Sequence, residues 1–273
     1  MGDTISGEEQ IRAFYRALAA AWGPQHWWPA RTRFEVVAGA FLTQNTGWSN
    51  VERALANLRA TRTLSVDGIR RLPLDQLERL IRPSGYFRQK AQRLKAFVAF
   101  LDGAYGDSLA RLFAQPTEAL RQQLLTLKGV GPETADSILL YAGNHPVFVV
   151  DAYTRRILER HRLMPATADY EEIRVLFERA LKNELAPTLA PPSGPPEGGA
   201  PQAYGKLLSA GRKFLYGAGH TPSAVSKAKR SAVAQAYNEM HALIVGVGKN
   251  YCAKSEPSCA HCPLGGPSFR PFL

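Results

Sequence analysis

The stretch "LLTLKGVGPETADSILLYAGNHPVFVVDAYTRRILER", residues 124–160, decides the fold. It continues a helical pattern and then places Gly129 and Gly131 directly before Pro132. The two glycines permit the positive φ or the close approach that a tight helix-to-helix turn requires. Pro132 suits the first position of a second helix, because its missing N–H would have no intrahelical partner there. The stretch therefore predicts two helices joined by a glycine turn.

Such a turn points backbone N–H groups outward at the start of the second helix, where the helix dipole favours an anion. A DNA phosphate fits this description, and backbone donors would hold any duplex regardless of its sequence. We expect Lys128, Gly129 and Gly131 to contact DNA. The alternative is an ordinary helical hairpin, which can use the same glycines without binding anything.

Asp151 follows the apolar segment "VFVV" and opens the helical segment "AYTRRILER". Its simplest role is that of an N-cap, whose side chain accepts a hydrogen bond from the first turn. An acid fixed beside a phosphate-binding turn could equally sit where a deoxyribose C1′ is presented. The two roles are compatible.

The composition indicates a folded protein with a polyanionic partner. The chain has 273 residues, 45% of them hydrophobic, and 34 Lys and Arg against 23 Asp and Glu give a formal charge of +11. A basic surface with no nucleic-acid role is the alternative. The N-terminus has no pattern of a secretory signal, and no apolar run reaches the length of a membrane span. We therefore expect a cytoplasmic protein, associated with the nucleoid or, in a eukaryote, the nucleus, that contacts no membrane.

Helical periodicity dominates the chain, and no convincing strand pattern is present, so we predict an all-α fold of many short helices. Ser49 with Glu52 has the spacing of a capping box. Residues 186–202 concentrate proline and glycine and predict a flexible surface excursion.

Together, "LKGVGPETAD" and "VVDAYTRR" resemble the hairpin and the aspartate segment of the helix-hairpin-helix DNA glycosylase superfamily, the endonuclease III group. "WWPA", "LTQNT" and "RPSGYFRQKA" are most similar to the endonuclease III-related 3-methyladenine glycosylases. The resemblance implies a single unit over 1–273, with two interleaved helical lobes and a DNA-binding cleft. One lobe would span about 34–150 and the other 1–33 with 151–250. A cysteine loop at 252–268 would follow.

The resemblance also implies site roles, because these enzymes rotate the damaged nucleotide out of the duplex. Asp151 matches the essential acid. Gln44 matches a residue that fills the vacated stack, and Tyr86 falls where the family places a wedging side chain. A helix-terminal amide and a half-buried aromatic are the alternative interpretations of the last two.

A base pocket would be formed by Trp27, Trp28, Asn45, Trp48 and Lys249. Indole rings stack on a cationic alkylated purine and gain cation–π attraction. The tryptophans could equally be core aromatics, and Lys249 could contact phosphate or solvent.

Members that cut the strand carry a lysine in the second hairpin helix, which forms a Schiff base with C1′. Here that position is Glu133, and a carboxylate cannot form an imine. We expect the lyase activity to be weak or absent. Glu133 also fits a purely structural role, because the helix dipole stabilises an acid in the first turn.

The three cysteines of the chain, Cys252, Cys259 and Cys262, have the spacing of the first three ligands of the family's [4Fe–4S] loop. The fourth cysteine would stand at Ser268. Three outcomes remain open: a cluster whose fourth ligand is His261, Ser268 or solvent, a mixed zinc site, or free thiols.

The leading functional hypothesis is a monofunctional DNA N-glycosylase that acts as a monomer on damaged double-stranded DNA and removes alkylated purines such as 3-methyladenine. The runner-up is an endonuclease III-type glycosylase for oxidised pyrimidines. A non-catalytic damage sensor is a third hypothesis from another class.

Overall fold

A computed structural model describes residues 6–28, 30–184, 223–266 and 269. Within them all regular structure is helical and no strand is formed, which confirms the all-α prediction. None of the described helices combines the length and the apolar character needed to cross a membrane. The predicted proline and glycine excursion, 186–202, lies outside the described residues.

The α-helices, numbered in chain order, are α1 Gly7–Trp22, α2 Arg33–Leu42, α3 Trp48–Ala60, α4 Val66–Arg71, α5 Leu74–Leu80, α6 Phe87–Tyr105, α7 Leu109–Phe113, α8 Thr117–Leu125, α9 Pro132–Ser137, α10 Ala152–Arg160, α11 Tyr170–Leu181 and α12 Ala232–Asn250. Short 3₁₀ turns occupy Arg82–Ser84 and Cys259–His261, and a π turn at Ile138–Ala142 continues α9.

The chain divides into two compact units. The first, here called the hairpin unit, comprises Trp28–Pro146 and Ser223–Ala228. The second, the terminal unit, comprises Met1–Trp27, Val147–Pro222 and Lys229–Leu273.

Helix α2 forms the centre of the hairpin unit, and every residue from Phe34 to Leu42 is buried. Its Phe41 ring meets Phe97 of α6 edge to face, with 5.8 Å between centroids. The predicted capping box at Ser49 is wrong, because the N-cap of α3 is Gly47, two residues before Ser49, and the helix begins at Trp48. Burial of α2 fixes where the loop at 43–47 leaves the core.

Lys90 of α6 holds that loop in place. Its side chain is buried, and Nζ donates to Leu42 O at 2.8 Å, Thr46 Oγ1 at 2.7 Å and Ser84 O at 2.7 Å. Burial, followed by repulsion from Arg93, lowers the pKa of Lys90 to about 8. One ammonium group thus joins the loop after α2 to the turn before α6.

The glycine turn joins α8 to α9, and Pro132 occupies the first turn of α9 as the sequence predicts. The two helices are tied by a buried ion pair in which Arg121 Nε and Nη2 donate to Asp136 Oδ1 and Oδ2 at 2.7 and 3.1 Å. Because both side chains are almost fully buried, this pair is a polar connection between the two helices inside the hairpin.

In the terminal unit, α12 is buried over most of its length and packs against α10. The approach is closest at Gly248, where an added Cβ would lie 2.1 Å from Tyr153 Cδ1. Arg156 of α10 donates to Gly248 O at 3.2 Å and to Cys252 O at 2.6 Å, which caps the C-terminus of α12. The start of α10, and with it Asp151, is therefore positioned by α12.

Candidate active site

Asp151 is the N-cap of α10, as the sequence predicts. Its Oδ1 accepts from Thr154 N at 2.8 Å and from Thr154 Oγ1 at 2.9 Å, and the Asp151 N–H lies 3.4 Å from the same hydroxyl. The cap uses Oδ1 alone. The second oxygen, Oδ2, takes no part in these bonds and faces His241 Nε2 at 3.6 Å. The carboxylate side chain is 14% exposed, so it is largely shielded from water.

His241 is a functional candidate that sequence reasoning missed. It lies on α12, is 5% exposed, and meets the rings of Trp27 and Phe148 edge-on at centroid distances of 6.4 and 6.2 Å. Burial lowers the pKa of His241, and the charge of Asp151 opposes this effect. The signal available in the sequence was a histidine on an apolar helical pattern, which is typical of core positions as well.

The turn of the hairpin unit exposes Lys128, Gly129 and Gly131. Gly129 has φ +81°, and a Cβ there would lie 2.1 Å from Arg93 Nε. Gly131 is different, because its φ is −95° and an added Cβ would meet nothing within 4 Å. The expectation that both glycines are needed for the turn is therefore wrong for Gly131. Its missing side chain instead leaves open space at the N-cap of α9.

We expect Gly131→Val to fold normally yet bind damaged and undamaged duplex about tenfold more weakly, a loss of roughly 1.4 kcal/mol. The valine would occupy the space in front of the turn that a phosphate needs. Fluorescence anisotropy with both duplexes measures the effect. Gly129→Val is the matched control, and it should lower the unfolding midpoint because of its positive φ. Unchanged binding by folded Gly131→Val would remove the turn from the DNA interface.

Gln44 is bound to the hairpin within the same unit. Its Nε2 donates to Gly129 O at 3.0 Å and Thr134 Oγ1 at 2.9 Å, and its Oε1 accepts from Arg93 Nη1 at 2.5 Å. To fill a gap in a DNA stack, Gln44 would have to give up these bonds. Its neighbour Asn45 is exposed with φ 50°.

Tyr86 is the more available of the two residues expected to enter the duplex. It is 69% exposed and stands at φ 44° before α6. The structure leaves its ring at the surface, so the half-buried alternative is wrong for this residue.

The tryptophans divide between the units. Trp28 lies in the hairpin unit, 5% exposed, with Trp48 edge-on at 5.0 Å and Tyr141 at 5.1 Å between ring centroids. Trp48 is half-buried at the start of α3. Trp27 lies in the terminal unit beside His241 and is also buried. Trp48 is therefore the most accessible of the three indoles.

Glu133 is exposed in the first turn of α9, the position in which a helix dipole stabilises an acid. Lys249 is exposed in the last turn of α12, in the terminal unit, where the dipole favours a cation. Both charges thus suit their helix ends, and their proposed chemistry stays a prediction.

The cysteines line one small cavity together with Tyr251 and Leu264. Arg160 Nη1 donates to Cys252 Sγ at 3.0 Å. Burial raises the pKa of Cys259 and brings that of Cys262 to about 11. Cysteine thiolates are suitable ligands for an iron–sulfur cluster. With three cysteines, however, the chain cannot supply the four cysteine ligands of the usual [4Fe–4S] site.

Across the described ranges, no group of three or more His, Cys, Asp or Glu side chains has the arrangement of a site for a metal ion. Ser268, the expected position of the fourth ligand, lies outside these ranges. The chain has three cysteines, so a cluster could take at most three thiolate ligands from it, and within the described residues these thiols do not already form a metal site.

A family model and a relative of known sequence place the chain in the same family. The model of the HhH-GPD superfamily, described as base excision DNA repair proteins, matches residues 38–183. A candidate DNA repair glycosylase of Methanocaldococcus jannaschii is 37% identical over 258 residues, with 94% of each chain covered.

Two solved structures share the architecture. The 3-methyladenine DNA glycosylase of H. pylori, bound to 1,N6-ethenoadenine, aligns with a TM-score of 0.64 at 27% identity, covering 90% of this chain and 98% of that one. A trapped covalent intermediate of endonuclease III and DNA aligns with a TM-score of 0.65 at 18% identity, covering 96% and 94%, which shows a common fold. The chain therefore belongs to the HhH-GPD superfamily of base excision DNA repair proteins, and it is a DNA glycosylase of that family.

Proposed function

We propose that this glycosylase is monofunctional and releases alkylated purines such as 3-methyladenine from duplex DNA, acting as a monomer in the cytoplasm. The observation that carries the proposal is the divided environment of Asp151. Its Oδ1 is committed to the helix cap, whereas Oδ2 is outside the cap bonds. One carboxylate can then hold the helix and stabilise a reacting sugar at the same time.

The chemistry follows from that arrangement. Breaking the N-glycosyl bond develops positive charge on C1′, and a fixed carboxylate oxygen stabilises such charge without reorganisation. The same oxygen can orient the attacking water. An alkylated purine is already cationic and is a good leaving group. The enzyme therefore has little need of a general acid to protonate it. The helix dipole at the start of α10 favours a negative charge at this position.

The aromatic side chains support the choice of a cationic purine. Trp48 is half-buried and is braced edge-on by Trp28, so one indole is rigid and still partly accessible. Rigid indoles stack on purines and attract cationic rings. The similarity to a 3-methyladenine DNA glycosylase that binds 1,N6-ethenoadenine favours the same substrate class.

A panel of duplexes tests the proposal. Each duplex carries one methylated purine, one oxidised pyrimidine or one uracil, and base release is scored with and without alkaline strand cleavage. We expect release of 3-methyladenine with strand cleavage only after alkali. Release of thymine glycol instead would establish the oxidised-pyrimidine alternative, and intact binding with no release from any duplex would favour a damage sensor.

Borohydride trapping tests the monofunctional assignment. The parent should give no covalent adduct with a lesion duplex, because Glu133 cannot form an imine. Glu133→Lys places an amine at the same exposed position in the first turn of α9, and we expect it to gain detectable trapping. Glu133→Gln is the matched control and should trap nothing. Efficient trapping of the parent would contradict the assignment.

We also propose that Cys252, Cys259 and Cys262 hold an iron–sulfur cluster through three thiolates. The support is their convergence on one cavity and the N–H that Arg160 directs at Cys252 Sγ. Such a cluster would join the loop to α10, and no step of base release depends on it. Protein purified anaerobically should be brown, with bound iron and sulfide, and Cys259→Ala should lose both. Colourless protein with three titratable thiols would overturn this proposal.

A further inference from the structure

We propose that His241 is a positioning residue that orients the carboxylate of Asp151 for base release. The inference rests on the proposed function, since it assigns a task to a group beside the proposed acid. His241 Nε2 lies 3.6 Å from Asp151 Oδ2, the oxygen that the helix cap leaves unused. Two parts of the fold therefore act on the two oxygens separately.

The cap alone leaves the carboxylate incompletely fixed. Both cap bonds converge on Oδ1, so small rotations of the carboxylate move Oδ2 more than Oδ1. A donor facing Oδ2 limits that remaining freedom. The separation of 3.6 Å is longer than a hydrogen bond, and catalytic hydrogen bonds are often long before substrate binds.

His241 is itself held firmly enough for this task. Its ring is buried on α12 and contacts the ring edges of Trp27 and Phe148. Helix α12 approaches α10 so closely at Gly248 that no side chain fits between that residue and Tyr153. The spacing between the imidazole and the start of α10 is thus set by the packing of the Gly248 backbone against the Tyr153 side chain.

The burial of His241 favours an uncharged imidazole. A neutral ring can donate one N–H to Oδ2 without cancelling the charge of the carboxylate. A charged ring would pair with Asp151 and weaken its attraction for a positive C1′. The arrangement therefore orients the acid and preserves its charge.

Single-turnover base release by three variants tests the inference. His241→Phe keeps an aromatic ring and removes the donor, and we expect release to slow about 10- to 30-fold while the Kd for the damaged duplex changes less than about twofold. His241→Gln places an amide N–H near the position of Nε2 and should recover part of the rate. His145→Phe is the matched control, because His145 is a buried histidine of the hairpin unit, and its release rate should equal that of the parent.

The outcomes are separable. A parent that releases no base from any duplex would refute the proposed function, whereas an active parent with an equally active His241→Phe would refute the role of His241. Equal slowing of His241→Phe and His241→Gln, matched by equal losses in unfolding midpoint, would make His241 merely structural. A measurement on the parent needs no variant: ¹⁵N-histidine spectra should show His241 as the neutral Nε2–H tautomer, and an Nδ1–H tautomer would overturn the proposal.

Discussion

Asp151→Asn should fold and bind a damaged duplex as the parent does, yet release base at least ~100-fold more slowly, a barrier increase of roughly 2.7 kcal/mol. Asparagine keeps the size of the side chain and an oxygen for the Thr154 bonds, so the cap is largely retained. What it loses is the negative charge that we propose stabilises the sugar. Single-turnover release from a 3-methyladenine duplex, with Kd measured in parallel, separates the two properties.

A second variant isolates the cap. Thr154→Val removes the hydroxyl that donates to Oδ1 at 2.9 Å and leaves the backbone N–H in place. We expect it to lower the unfolding midpoint with a much smaller effect on base release than Asp151→Asn. Near-normal release by Asp151→Asn would show that this acid is only a helix cap.

Arg121→Ala should lower the free energy of unfolding by about 3–5 kcal/mol, because it removes the guanidinium that compensates the buried charge of Asp136. The side chains of this pair are 5% and 0% exposed. The pair joins α8 to α9, so the variant should also have a less ordered hairpin. We therefore expect its affinity for DNA to be lower than that of the parent. Urea unfolding at neutral pH measures the loss.

An exposed pair provides the comparison. Arg79 and Asp75, on α5, form an ion pair at 2.8 Å with both side chains about two-thirds exposed, and Arg79→Ala should cost no more than ~1 kcal/mol. Arg121→Met combined with Asp136→Leu removes both buried charges and should recover much of the stability lost in Arg121→Ala. A loss for Arg121→Ala that is no larger than for Arg79→Ala would show that water reaches the buried pair.

The sequence was sufficient for the features that depend on near neighbours. The glycine turn, Pro132 at the start of α9 and Asp151 as a cap are all set within a few residues of chain, and the structure has each of them. The helical class followed for the same reason, since periodicity is a local pattern. One local pattern gave a wrong prediction. Ser49 and Glu52 have the spacing of a capping box, but the N-cap of α3 is Gly47.

The remainder depends on partners that are distant along the chain. Gln44 bonds to Gly129, and Lys90 bonds to Leu42, across separations of 85 and 48 residues. His241 meets Asp151 only because α12 packs on α10. No periodicity or motif carries such pairings, so a single sequence could name the acid but could not show what surrounds it.

The contact between Gly248 and Tyr153 sets a rule for how related sequences can vary. With a Cβ only 2.1 Å from the tyrosine ring, position 248 accepts no side chain while position 153 remains aromatic. Lineages that acquire alanine or serine at 248 should therefore also carry a small residue at 153. An alignment of relatives in which larger residues occur at both positions would mean that the two helices can separate. The spacing between α12 and the start of α10, where Asp151 lies, would then be free to vary during evolution.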